Sequence, residues 1–502
     1  MEAVPSRDVM KIVIEKQDEV NLRVMADDGI EYDLSQFFTF EVPGARFTPA
    51  FRARLWDGKI RMYDLLRKTL YVGLLDYLIK FAERNDLEIE YKNEVVSKTP
   101  VTYEEIEAFT KGLNLYGRGN PIEIRDYQID AITHGIYNNR SILLSPTGSG
   151  KSLIIYSLVR WHLENGRKCL VVVPTTSLVE QMYSDFEDYS SANGWNTSEY
   201  CQKLYSGFPR EVTKDVMFST WQSIYTQPKS WFDQFNVLFG DEAHQFKAKS
   251  LTTIMDKMSE TGFRIGTTGS LDDSKINKLV LEGVFGPTYK VTSTRALMDD
   301  NKLAELKINA IILKYDESTR KEFNKSTYQQ EMNYLVTNEK RNKFIRNVAL
   351  GCEGNTLLLF QYVDKHGKIL DEMIRAKVAE GRKVFFIHGG TEVADREGIR
   401  KIVEKENNAI IIASFGVYST GINIPSIENV IFASPSKSKI RNLQSIGRGL
   451  RLNSGKKYCT LYDIADDLHW KAWKNHTLKH AAERYKLYSE EEFSIKLVEV
   501  SM

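Results

Sequence analysis

Short apolar runs recur along this chain at a spacing that leaves room for a helix or loop between them. In the first half they fall at 141–144, Cys169–Val173, Asp215–Ser219, 237–240 and Phe263–Thr267. Runs that are apolar without alternation predict strands covered on both faces, as in a parallel sheet flanked by helices. After Met298-Asp-Asp-Asn301, which predicts a hinge, the rhythm resumes at Thr356–Phe360, Lys383–Ile387, Ala409–Ala413, Asn429–Ala433 and Tyr458–Tyr462. The expectation is an α/β protein with two doubly wound parallel sheets in tandem.

The two ends follow a different pattern. Lys11-Ile-Val-Ile-Glu15 and Val20-Asn-Leu-Arg-Val24 alternate like strands, and Tyr71 to Phe81 reads as a helix. Residues 1–95 are therefore expected to form a small separate α/β unit. A linker over 96–122 follows, with Gly and Asn concentrated between Gly112 and Pro121. The two sheets then occupy 123–298 and 299–468. In the tail, 469–502, a helix is expected with Leu478, Ala481, Ala482 and Tyr485 on one face, then a strand through Phe493, Ile495 and Leu497.

Composition narrows the class. The chain has 502 residues, 42% apolar and 27% charged, with net charge +1. That suffices for about three ordinary domains and excludes a disordered chain. A charge so near zero means that any nucleic-acid surface has to be a local basic face. Cys169, Cys201, Cys352 and Cys459 are widely spaced, without CxxC, and read as reduced core residues. No apolar run approaches the ~18 residues of a membrane span, and no basic-then-apolar leader opens the sequence. A cytoplasmic protein without membrane contact is expected.

Two motifs carry chemistry. Ser145-Pro-Thr-Gly-Ser-Gly-Lys-Ser152 lies between the apolar run 141–144 and the helix-like Leu153-Ile-Ile-Tyr-Ser-Leu-Val159. A strand, a glycine-rich turn and a helix start make a phosphate-binding loop, whose backbone N–H groups and helix dipole face the phosphates. Thr147, Gly148, Ser149, Gly150, Lys151 and Ser152 would hold ATP; Lys151 would reach the β- and γ-phosphates and the Ser152 hydroxyl would ligate Mg²⁺. Ser145 stands where the pattern has Gly. The second motif, Gly240-Asp-Glu-Ala-His244, ends the run Val237-Leu-Phe239, at the ligand-binding edge of an open α/β sheet. There Asp241 would hold Mg²⁺ and Glu242 would activate the attacking water.

In the second half, Gln444-Ser-Ile-Gly-Arg-Gly-Leu-Arg451 puts Arg448 and Arg451 three apart. On a helix both would point to one side, as two solvated arginines or as arginine fingers toward a triphosphate. With these residues in order, the chain over about 120–465 resembles the superfamily 2 helicases, which implies two RecA-like domains. The set also includes Arg125-Asp-Tyr-Gln128, Val173-Pro-Thr-Thr-Ser177, Ser219-Thr-Trp-Gln-Ser223, Thr268-Gly-Ser270, Leu359-Phe-Gln361, His388-Gly-Gly-Thr391 and Ser419-Thr-Gly-Ile-Asn423. The resemblance implies that Arg125 and Gln128 serve the adenine and that Gln444 sits near the γ-phosphate. It also puts Thr175, Thr220, Gln222, Thr391 and Thr420 on the nucleic-acid track. Thr268-Gly-Ser270 departs from the commoner Ser/Thr-Ala-Thr form.

The N-terminal unit mixes Arg46, Arg52, Arg54, Lys59 and Arg61 with Phe47, Phe51 and Trp56. Such interleaving fits a nucleic-acid surface, with Arg52, Arg54, Trp56 and Lys59 as contacts; it also fits a solvated basic face over a small core. The run Arg52-x-x-x-Trp-Asp-Gly-Lys-Ile-Arg-x-Tyr-Asp64 ahead of a helicase core resembles the UvsW-type recombination helicases of tailed phages. That resemblance implies an ATP-driven 3′-to-5′ DNA motor acting in recombination and repair on forks, Holliday-type junctions and R-loops, with single-stranded DNA, branched duplex and RNA–DNA hybrid as partners. An RNA helicase and a non-catalytic DNA-binding scaffold are the alternatives. The retained Lys151, Glu242, Arg448 and Arg451 argue against a decayed ATPase. His476 and His480 are four apart but lack a third ligand, so a metal role is not expected. Lys471, Lys474, Lys479, Arg484 and Lys486 make the tail basic, either as a polar helix face or as a duplex contact.

Overall fold

The computed structural model describes residues 10–502 except 43, 118, 247–248, 272–274, 418–426 and 435–457. They form two compact units, one of residues 1–145 and 150–291 and the other of residues 292–502 with 146–149.

The first unit is built on a seven-stranded, all-parallel sheet. Its strands run in the order Cys201–Leu204, Val216–Thr220, Cys169–Val173, Val237–Asp241, Phe263–Thr268, Arg140–Leu144 and Thr288–Lys290. Strand residues such as Val171, Phe218, Phe239 and Ile265 are fully buried, as near-continuous apolar runs require. The expected strands are present, and two short edge strands, Cys201–Leu204 and Thr288–Lys290, join them.

A five-stranded mixed sheet forms the N-terminal part of the same unit. Lys11–Lys16 pairs antiparallel with Asn21–Met25 and parallel with Glu88–Tyr91. The stretch expected as one helix from Tyr71 instead ends a strand (Thr69–Tyr71), makes a 3₁₀ turn (Val72–Leu74) and only then enters the helix Leu75–Arg84. The turn exists because it docks. A Cβ on Gly73 would stand 1.9 Å from the Glu282 carbonyl oxygen, so only glycine permits this approach. The Tyr77 hydroxyl donates to Glu282 Oε2 at 2.6 Å, and Tyr71 OH reaches Asp256 at 3.2 Å. Ile276 and Leu279 of the helix Lys275–Phe285 are buried within the N-terminal core itself. The Glu19 carboxylate takes Lys16 at 2.6 Å and Arg140 at 2.9 Å. The fully buried Arg264 donates to the Met258 and Thr261 carbonyls behind this seam, and burial pulls its guanidinium down to about 9.

The stretch expected as linker carries the helix Tyr103–Gly112. Thr102 caps it, accepting from Glu105 N while the Glu105 side chain accepts from Thr102 N.

The second unit has its own seven-stranded parallel sheet, in the order Val384–Ile387, Ile410–Ser414, Thr356–Phe360, Asn429–Phe432, Tyr458–Asp467, Glu305–Lys314 and Ser494–Ser501. Glu305–Lys314 follows the expected hinge and adds a strand that the apolar runs do not predict. Buried ion pairs fix the long central strand: Arg341 forks onto Asp466 at 2.8 and 2.9 Å, and Arg484 onto Asp463. Arg484 thus leaves the basic face expected of the tail. The buried stripe of the tail helix His476–Glu490 is Thr477, Ala481, Arg484, Leu487 and Tyr488, not Leu478, Ala482 and Tyr485. All four cysteines are buried and unbridged. Among the described residues no helix is long and apolar enough to cross a membrane.

Candidate nucleotide and nucleic-acid site

In the first unit the strand Arg140–Leu144, which leads to the phosphate-loop sequence, and the strand Val237–Asp241, which ends in the acidic pair, are separated by the single strand Phe263–Thr268. Ser145 N–H donates to the Thr268 carbonyl at 2.8 Å, pinning the start of the loop to that strand. Gly148 and Gly150 have φ of 87° and 86°, a left-handed backbone that favours glycine. They turn the chain into the helix Lys151–Glu164, whose first N–H groups therefore face the loop. Within the loop Ser149 Oγ donates to the Pro146 carbonyl at 2.6 Å, and Lys151 Nζ folds back to the Ser145 carbonyl at 3.2 Å. Ser152 Oγ lies 2.8 Å from Tyr189 OH, a partner that no motif predicted.

Gln128 is buried against this loop: a Cβ on Gly150 would come within 2.3 Å of its Nε2. Its Oε1 accepts Arg125 N–H at 2.9 Å, while the Arg125 guanidinium donates to Tyr127 OH at 2.6 Å. The motif read for adenine is thereby coupled to the loop that would hold the phosphates.

Asp241 ends its strand with a buried carboxylate that accepts from Thr267 Oγ1 at 2.8 Å. Burial, and then the charge of Glu242, push its carboxyl above the ordinary value, while the Lys151 ammonium opposes them. Glu242 takes left-handed φ and ψ of 50° and 51°, rare for a residue with a side chain. The backbone is bent there, just where the Asp-Glu pair leaves the sheet. His244 Nδ1 stands 3.4 Å from Glu242 Oε2 and 3.0 Å from Thr268 Oγ1, and Thr268 Oγ1 donates to the Ser270 carbonyl at 2.9 Å. Two motifs thus share one polar chain.

The donors fit Mg²⁺. Ser152 and Asp241 offer oxygens alone, and a cation would hold the desolvated Asp241 ionised. Among the described residues no cluster of three His, Cys, Asp or Glu side chains could hold a metal, so a cation here would rely on substrate oxygens and water.

Thr175 follows two residues after Val173, the register partner of Thr220, so both threonines lie at the C-terminal ends of adjacent strands. Thr175 Oγ1 caps the helix Thr176–Tyr189 through Leu178 N–H, Thr220 Oγ1 bonds Ser223 Oγ at 2.9 Å, and Gln222 is exposed. In the second unit, Thr391 Oγ1 accepts His388 N–H at 3.1 Å and closes the His388-Gly-Gly-Thr turn. Thr420, Gln444, Arg448 and Arg451 lie outside the described residues.

In the N-terminal part, residues 44–58 form a tongue leading into the strand Lys59–Arg61, which pairs with Thr39–Glu41. Arg52 and Arg54 are exposed on it and Lys59 is half-buried. Trp56 is not a free ring: half-buried, its indole N–H donates to the Lys59 carbonyl at 2.8 Å.

Three family descriptions match the chain: "DNA helicase UvsW, N-terminal" at residues 11–92, "Type III restriction enzyme, res subunit" at 121–272 and "Helicase conserved C-terminal domain" at 339–453. The ATP-dependent DNA helicase uvsW of Enterobacteria phage T4 is 33% identical over 98% of this chain and 100% of its own length. The putative ATP-dependent helicase IRC3 of Saccharomyces cerevisiae is 23% identical over 68% of this chain and 51% of its own. The crystal structure of T4 UvsW superposes with a TM-score of 0.53 at 32% identity, covering 98% of this chain and all of that one. A DNA-bound Type ISP restriction-modification enzyme, LlaBIII, shares the fold at TM-score 0.56 and 16% identity, over 84% of this chain and 34% of its own. With the loop, the acidic pair and a full-length relative in agreement, the chain belongs to the UvsW family of ATP-dependent DNA helicases of superfamily 2.

Proposed function

We propose that this helicase works on branched DNA, regressing forks, migrating Holliday-type junctions and unwinding R-loops. The observation that carries the motor part is the convergence of Lys151, Asp241 and Glu242 on one sheet edge, with His244 and Thr268 joining the acidic pair to the next motif. Lys151 offsets charge on the β- and γ-phosphates, and Glu242 takes the proton of the attacking water. Ser152 and Asp241 hold Mg²⁺, which neutralises phosphate charge when bound. Gln444, Arg448 and Arg451 are assigned to the γ-phosphate from their motif alone. Thr175, Thr220, Gln222, Thr391 and Thr420 are assigned to the strand backbone, where short donors position without reading sequence.

The branched-substrate part is supported by the basic tongue of the N-terminal region and by the resemblance of the run from Arg52 to Asp64 to the UvsW-type recombination helicases. ATPase stimulation by single-stranded, duplex, forked and four-way DNA tests it, with RNA and RNA–DNA hybrid as competitors. Forked and four-way DNA should stimulate most at low concentration. Equal stimulation by all DNA forms would remove the branched-DNA reading, and preference for RNA would replace it with an RNA helicase.

A further inference from the structure

The tongue inverts the usual arrangement of apolar and polar side chains. Among its described residues only Ala45 and Gly58 are buried, while Phe47 is 63% exposed and Leu55 83% exposed.

The tongue is nonetheless held in one shape, by hydrogen bonds rather than by packing. Thr48 Oγ1 donates to the Ala45 carbonyl at 2.7 Å and accepts Phe51 N–H at 3.3 Å, capping the turn Pro49–Arg52. Leu55 N–H donates to the Ala50 carbonyl and Val42 N–H to the Gly58 carbonyl. At Gly58, φ is 78° and a Cβ would press on Ala45 and on the Phe51 ring at 3.0 and 3.1 Å. Phe51 therefore backs the loop, and Phe47 and Leu55 are left facing outward.

Exposed apolar groups on an ordered loop mark a contact surface. Their surroundings say with what. Residues 44–61 carry five basic side chains against one carboxylate, and that carboxylate, Asp57, is engaged by Arg61 at 2.5 Å. The Arg46 guanidinium lies over the Phe47 ring at 4.9 Å. Cations around an apolar tip match a nucleic acid, whose phosphates meet the cations and whose base faces meet the apolar groups.

We propose that Phe47 and Leu55 contact unstacked nucleobases at the branch point of DNA, with Phe47 as the stacking platform and Leu55 as a wedge against the neighbouring step. This rests on the branched-DNA reading and adds the bases to it as a ligand.

Salt separates the two kinds of interaction. Removing a cation that pairs with a phosphate lowers the slope of log affinity against log salt by about one, whereas removing a stacking ring leaves that slope alone. The experiment uses the full chain without nucleotide and a fork carrying 2-aminopurine at the branch. Wild type should raise the emission as the base unstacks. Phe47→Ala with Leu55→Ala should abolish most of the rise and weaken fork affinity about ten-fold at an unchanged salt slope. Phe47→Tyr should restore the signal. Arg52→Ala with Arg54→Ala should flatten the slope by about two yet keep the rise at saturation. Wild-type emission and affinity in the Phe47/Leu55 variant would overturn the proposal, as would a flattened slope in that variant or no recovery with Phe47→Tyr. A wild-type enzyme stimulated by forks but silent in emission sinks this inference alone. One with no preference for forks sinks the branched-DNA reading beneath it.

Discussion

His244 Nδ1 lies 3.0 Å from Thr268 Oγ1, so the residue that closes Asp-Glu-Ala-His touches the residue that opens Thr268-Gly-Ser270. The Thr268 hydroxyl spends its proton on the Ser270 carbonyl, which leaves its lone pairs for an imidazole N–H. A shift of Glu242 with the state of the phosphate would reach the strand Phe263–Thr268 through His244. His244→Ala should therefore lower turnover modestly and lower the base pairs unwound per ATP much more. Strand displacement and phosphate release measured on one preparation check this. A parallel fall in both would mean that His244 serves hydrolysis alone.

Glu242 stands in a strained left-handed backbone at the end of the strand Val237–Asp241. If it is the general base, Glu242→Gln should bind ATP and DNA normally while hydrolysis falls by about 10²–10⁴-fold. Single-turnover phosphate release, with nucleotide affinity measured alongside, is the test. Turnover within about ten-fold of wild type would exclude the role.

Asp241 gives a prediction with a definite sign. Burial raises its folded pKa, so the folded state holds a proton that the unfolded chain releases. Without metal, wild type should lose stability relative to Asp241→Asn as pH rises from the ordinary carboxylate value through the raised one. Mg²⁺ with ATP should raise the melting temperature of wild type at neutral pH, and Asp241→Asn should lose most of that increment. Equal increments in the two proteins would mean that Asp241 does not serve the cation.

Glu19 has the opposite sign. Burial alone would raise its carboxyl, but the Lys16 hydrogen bond and the Arg140 charge outweigh burial and hold it below the ordinary value. At Arg140 burial dominates and pulls the guanidinium down despite the pair. The Glu19 contribution is present above the ordinary carboxylate value and lost as pH falls through the folded one. Glu19→Gln should cost about 2 kcal/mol at neutral pH, less than the ~3–5 of a fully buried pair. The gap should close in acid. Denaturant melts of both proteins across that range decide it, and a gap independent of pH would mean that packing, not charge, is at stake.

Much of this was legible in the chain. Cys169–Val173 and Thr356–Phe360 have the bounds their apolar runs predict, since a strand buried on both faces writes itself as such a run. The strand Glu305–Lys314 was hidden because polar residues break its hydrophobic run, although its first half alternates exposed and buried. The capping box Thr102–Glu105 was readable and announces the helix in the presumed linker. Other features had no local signature. Tyr71 to Phe81 has helical content, yet docking on Glu282 turns its first residues out of the helix. Arg484 looks like a surface charge until Asp463, on another element, is placed beside it. Trp56 reads as an exposed ring, and nothing local foretells that its N–H donates to a carbonyl three residues on.

The seam at Gly73 bears on how such proteins can be inherited. Ile276 and Leu279 complete the N-terminal core from within the motor sequence, and a methyl group on residue 73 would collide with the Glu282 backbone. Gene exchange that joined this N-terminal segment to a different helicase would bring half a joint. The recipient would need a matching helix at 275–285 with its glutamate in place, and the donor's own motor would be left with two bare aliphatic side chains. Segment and helix are therefore expected to travel as one heritable block, across a stretch of coding sequence in which the phosphate loop and the acidic pair are carried along as passengers.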